Sequence, residues 1–171
     1  PFFLFSALGG QFGEKFAKDS LIRKIKFAEI LIMLAGAVGV LLDNLPLMFV
    51  VLFAMGTQSA LFGPVKYSIL PQQLTEDELV GGNALVEMGT FLAILGGTIG
   101  AGVLMASDAY AEWVALSVVL IALVGYLASL AIPAATAALP TLHMDWHVLR
   151  QSWRILRLGF GQQRAVSRAM L

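Results

Sequence analysis

Leu47-Met-Phe-Val-Val-Leu-Phe-Ala-Met-Gly56-Thr57-Gln58-Ser59-Ala-Leu-Phe-Gly63-Pro64-Val-Lys66-Tyr-Ser-Ile-Leu70 is a continuous, largely apolar run. As a helix it rises about 36 Å, enough to cross the roughly 30 Å hydrocarbon core of a bilayer. It also carries an amide, a Gly-Pro pair and a lysine, which hydrocarbon tolerates poorly unless they are partnered or functional. The stretch therefore reads as a membrane span with polar work inside it.

Composition agrees. The 171 residues are 58% hydrophobic and 13% charged, with mean hydropathy +0.83; a soluble domain is nearer half apolar and a quarter charged. The fold class expected is all-α integral membrane. A net charge of zero gives no sign of a nucleic-acid partner. The absence of cysteine excludes disulfides, thiolate metal sites and cysteine nucleophiles from this sequence. The sequence opens on Pro1-Phe-Phe-Leu-Phe and stops within Arg168-Ala-Met-Leu, so it is expected to be part of a longer protein.

On either side of the opening run the chain divides into further spans. Residues 1–13 are the second half of a helix. Glu14 to Lys26 form a charged turn. Spans follow at 25–42, 47–70, 81–106 and 113–132, completing a bundle over 1–132. Asp43-Asn-Leu-Pro46 is a tight turn. In the loop before the Gly-rich span, Thr75-Glu-Asp-Glu78 has the capping-box pattern of a helix start. Residues 133–163 read as a linker and 164–171 as the start of another span.

Orientation follows from charge. Of eleven Lys and Arg, five lie in 15–26 and five in 150–168, while the turns at 43–46 and 107–112 hold none. Four spans separate the two basic loops, so both lie on one side. The positive-inside rule makes 14–26 and 141–168 cytoplasmic.

Lys66 falls at the cytoplasmic end of its span, and Glu87 about 9 Å into the next from the same side. An ion pair between them is expected, as a gate or a headgroup site; the bland alternative is a snorkelling lysine and a solvated acid. Intramembrane charge favours the functional reading. Glu29, only a turn inside its own span, reads as a boundary residue. Gln58 lies near the midplane and needs partners, from a neighbouring helix or from a ligand.

Gly89, Ala93, Gly97 and Ala101 form a small-residue face suited to helix packing. Gly63-Pro64 is a kink signal. Over 141–158, Leu142, Trp146, Leu149, Trp153 and Leu156 make one apolar stripe with arginines off it, the pattern of an amphipathic helix on an anionic surface. His143 and His147 have a metal-like spacing without a third ligand, so no metal is expected. No residue set offers catalysis, and no cofactor is implied.

Two segments carry a resemblance. Gly56-Thr-Gln-Ser-Ala-Leu-Phe-Gly-Pro-Val-Lys-Tyr-Ser-Ile-Leu-Pro-Gln72 and Glu78-Leu-Val-Gly-Gly-Asn-Ala-Leu-Val-Glu87 resemble the lysophospholipid transporter branch of the major facilitator superfamily. Gly10-Gln-Phe-Gly-Glu14-Lys15 stands where the superfamily has its Gly-x-x-x-Asp-Arg loop, with Glu in place of Asp and no Gly-Arg-Arg directly after; Lys18, Arg23 and Lys24 can substitute. The resemblance implies the N-terminal half of a transporter, from helix 2 to the start of helix 7, with a central cytoplasmic linker.

It further implies a lysophospholipid flippase of the bacterial inner membrane working by alternating access. Its partners would be membrane lipid, the lysophospholipid substrate, a C-terminal transporter half and, in some members, a fused acyltransferase. Cavity-facing residues would be Gln58, Lys66, Asn83 and Glu87, with Gly10, Glu14 and Lys15 as the gating loop. Two alternatives remain: an efflux transporter for amphipathic drugs, and a membrane anchor for a fused acyltransferase.

Overall fold

The computed structural model describes residues 1–139 together with 141, 153 and 157. Most of the helix expected over 141–158, including His143 and His147, and the span expected from 164 lie outside the described residues. Of that helix, Trp153 and Arg157 are helical, with the guanidinium 5.9 Å from the indole ring.

Every regular element among the described residues is helical: α1 (Phe2–Lys15), α2 (Lys18–Leu41), α3 (Leu45–Ser68), a short α4 (Leu70–Gln73), a 3-10 turn (Glu76–Glu78), α5 (Leu79–Met105) and α6 (Tyr110–Leu130). The stretches Leu45–Gln73, Glu76–Met105 and Tyr110–Leu130 are each long and apolar enough to cross a membrane. The chain is an all-α membrane protein. Helix α1 packs on α3, and α2 lies between α3 and α6, while α5 touches α6 and α4.

The charged stretch 14–26 is mostly helix rather than turn. Only Phe16 and Ala17 leave helical geometry, and α2 begins at Lys18. Asp19 sits in the first turn, where the helix dipole favours an acid, and Arg23 reaches it at 3.6 Å one turn on. Charges at helical spacing thus extend α2 beyond its apolar part, and this moves every later α2 residue deeper into its helix. With Lys66 near the end of α3, the ends of α1, α3 and α6 and the starts of α2 and α5 form one basic end.

The opposite end is closed by tight turns. Asn44 N–H donates to the Gly39 carbonyl at 2.9 Å and Asp43 N–H to Val40 at 3.2 Å, with Asp43 left-handed at φ 48°. That is a Schellman close, with an aspartate where glycine is usual. Asn44 then caps α3, its side-chain oxygen accepting Leu47 N–H at 3.0 Å. Pro46 sits in the first turn of α3, where a missing N–H costs nothing. Helix α3 continues through Pro64 to Ser68. The Thr75–Glu78 capping box forms, with Glu78 accepting from Thr75 N–H at 3.0 Å and from its hydroxyl at 2.8 Å.

Close packing in lipid rests on small residues. A Cβ on Gly9 would lie 2.8 Å from the Ala60 carbonyl oxygen and 3.1 Å from Leu61 Cα, so α1 and α3 meet backbone to backbone. Ala60 is 1% exposed at that contact. The expected packing face of α5 is open here: a Cβ on Gly89 or Gly97 meets nothing within 4 Å.

Candidate functional site

The α4 segment and the 3-10 turn lead from α3 into α5, and side chains near the end of α3 reach across to α5. Lys66, near the end of α3, meets Thr90, about 16 Å along α5. Lys66 Nζ donates to Thr90 Oγ1 at 3.1 Å. The Thr90 hydroxyl itself donates to the Val86 carbonyl at 2.7 Å, which leaves the oxygen lone pairs to accept from lysine. The ammonium also sits 4.7 Å from the Tyr67 ring centroid, in range of the negative face of the ring. The Tyr67 hydroxyl donates to Glu87 Oε1. Asn83, Glu87 and Thr90 fall on one face of α5, spaced four and three residues apart.

The expected ion pair between Lys66 and Glu87 is not what forms. The ion pairs among the described residues are Asp19–Arg23 and Lys26–Glu29. Lys66 turns to Thr90, and Tyr67 takes Glu87. Neither Tyr67 nor Thr90 stands out in the sequence. The signal was available in their positions, Tyr67 beside the lysine and Thr90 one turn past the glutamate. Asn83 donates to the Leu79 carbonyl of its own helix at 2.9 Å.

A second polar cluster lies deeper. Gln58 is 8% exposed. Its Nε2 donates to Glu29 Oε2 at 2.7 Å, and Lys26 Nζ reaches the same oxygen at 2.9 Å. Lys26 also lies 5.0 Å from the Phe62 ring centroid and beside Gly125, so its stem is seated between α2, α3 and α6. Of the two partners left open for Gln58, a neighbouring helix takes its amide. Counted from Lys18, Glu29 stands about 16 Å along α2. Gln58 also lines a shallow apolar groove with Ile25, Ile32, Phe53 and Leu61.

The gating-loop residues stand at the end of α1. A Cβ on Gly10 would meet nothing within 4 Å. Glu14 accepts Leu139 N–H at 2.8 Å through its main-chain oxygen. Lys15 Nζ lies 6.0 Å from the Phe16 ring centroid. Among the described residues no group of three His, Asp or Glu is placed to hold a metal.

Comparison with known proteins adds one decisive likeness. Over 143 residues, 81% of its length, the chain is 34% identical to the lysophospholipid transporter LplT of Salmonella schwarzengrund. The proteins of that name from Salmonella newport and Salmonella heidelberg match to the same extent. Over most of its length the chain is thus homologous to proteins named lysophospholipid transporter. It spans 33% of the length of these relatives. No protein-family model and no solved structure matches it.

Proposed function

We propose that this chain forms the N-terminal half of a lysophospholipid flippase and that Lys66 meets the phosphate of the headgroup. The observation that carries the reading is the Lys66–Thr90 contact beside Tyr67 and Glu87. One ammonium donor is spent on Thr90, and an ammonium has three. Away from bulk water its attraction for a phosphate oxygen is several times stronger than in solution. Glu87, held by Tyr67, offers the opposite charge nearby. Apolar helix faces around the site take the single acyl chain.

In this reading the basic end is cytoplasmic, in a bacterial inner membrane, because lysine and arginine concentrate there. A second half, joined through the linker, rocks against this one to alternate access. Gly10, Glu14 and Lys15, in the last turns of α1 rather than in a loop, border the α1–α2 turn on which that movement bears. Gln58 and Asn83 take a secondary place, since both amides are engaged within the helices. An acyltransferase fused downstream would consume the delivered lysolipid. The relatives' names favour transport over drug efflux or a plain anchor. The test is uptake of labelled lysophosphatidylethanolamine by spheroplasts whose own transporter is deleted and which express the full-length protein. Uptake above the empty vector is expected; none, with the protein inserted, would sink the reading.

A further inference from the structure

The chain does not leave the bundle when α6 ends. It runs back across the basic end as an extended segment, residues 132–139, held at four main-chain points. Arg23 Nη2 donates to the Ile132 carbonyl at 3.2 Å. Ala135 N–H donates to Asp19 Oδ1 at 3.3 Å. Gln72 Nε2 donates to the Thr136 carbonyl at 3.2 Å. Leu139 N–H donates to the Glu14 carbonyl at 2.8 Å. The partners come from the end of α1, the first turns of α2, and α4.

Side chains fasten it as well. Ala135 is 8% exposed and joins Ile22, Val65 and Ile69 in a buried cluster, with Leu21, Phe62 and Ile132 packed around it. At a membrane surface, water can satisfy the polar groups of an irregular backbone; here protein groups do so instead. Composition fits a seated segment rather than a slack one. Ile132-Pro-Ala-Ala-Thr-Ala-Ala-Leu139 has no glycine or serine, the residues of flexible linkers, and its alanines allow close approach. Asp19 and Arg23 are themselves paired, so two linked side chains grip two points of the segment.

We propose that residues 132–139 are a permanent clamp, which ties the end of α6 to the α1–α2 turn and to α4. The beginning of the linker is then part of the moving body of this half. Slack between the halves can begin only after residue 139. Because Gln72 lies just beyond the helix that carries Lys66 and Tyr67, the clamp also fixes the end of the site helix. It goes beyond the transport reading and needs only part of it for its test.

The first measurement does not depend on transport. In the full-length protein made cysteine-free, Ala134→Cys and Ala135→Cys are probed with a water-soluble maleimide in inside-out vesicles. Ala134 is exposed and Ala135 is buried, so at least tenfold slower labelling at Ala135→Cys is expected. Equal rates would overturn the clamp whatever the protein transports. The second measurement bridges Gln72→Cys to Thr136→Cys with a short bifunctional maleimide. Bridged protein should keep lysolipid uptake within about twofold of the unbridged pair, whereas loss of uptake on bridging would show a latch that must open and overturn permanence. Replacing 132–139 by a Gly-Ser segment should lower uptake about tenfold with insertion retained. Unchanged uptake in that variant would contradict a mechanical role. If that variant fails to insert, the bridging result decides.

Discussion

Gln58 on α3 donates its amide to the Glu29 carboxylate on α2 at 2.7 Å, and Lys26 shares the same oxygen. A polar group that reads as a candidate substrate contact is, in the fold, one corner of an interhelical lock. Glu29 and Lys26 side chains are 14% and 20% exposed, so neither charge is well hydrated. Removing one member strands the other, the costliest way to disturb such a pair.

Glu29→Ala should therefore destabilise the protein by about 3 kcal/mol, since Lys26 and Gln58 lose their shared partner. Gln58→Leu should cost less, about 1–2 kcal/mol, because Glu29 keeps Lys26. Lys26→Met and Glu29→Met combined with Gln58→Leu, which leaves no member of the cluster unpaired, should come close to wild type. Thermal unfolding in detergent reads all three. A Glu29→Ala protein as stable as wild type would remove the lock from the account.

Gly9 and Gly10 are adjacent but not equivalent. Gly9→Val forces the α1 and α3 backbones apart and should cost about 1–3 kcal/mol, as overpacking does. Gly10→Ala projects into open space and should be neutral or stabilising by up to about 1 kcal/mol, the helix-propensity difference. The same unfolding measurement compares them, and equal effects would contradict the direct contact between Gly9 and Ala60.

Orientation can be read by labelling single cysteines in intact cells. Cysteines at Asp43 and Asp108 should react with an impermeant maleimide added outside, and one at Asp77 only after the membrane is opened. The reverse pattern would turn the proposed topology over.

The sequence shows the spans plainly because α3, α5 and α6 are apolar over most of their length, a signal that survives any rotation of the helix. The Asp43–Pro46 turn and the Thr75–Glu78 capping box are equally legible, since their bonds are local. The start of α2 was hidden because Lys, Asp and Arg suit a solvated loop and a helix end alike. Counting residues places Lys66, Glu87 and Gln58 by height along their helices, but not by azimuth: one residue turns the helix by about 100°. Lys66 and Tyr67 thus exchange the partner that height alone assigns to lysine. The clamp leaves no local pattern, since its side-chain bonds join residues 64 to 116 positions apart.

The central claim is that Lys66, beside Tyr67 and Glu87, receives the lysophospholipid headgroup. It is tested most directly by labelled lysophosphatidylethanolamine uptake in spheroplasts, comparing Lys66→Ala and Lys66→Arg at matched membrane insertion. The account predicts that Lys66→Ala loses at least about tenfold in rate, equivalent to 1.4 kcal/mol or more, and that Lys66→Arg retains part of it. Uptake at the wild-type rate by Lys66→Ala would contradict it.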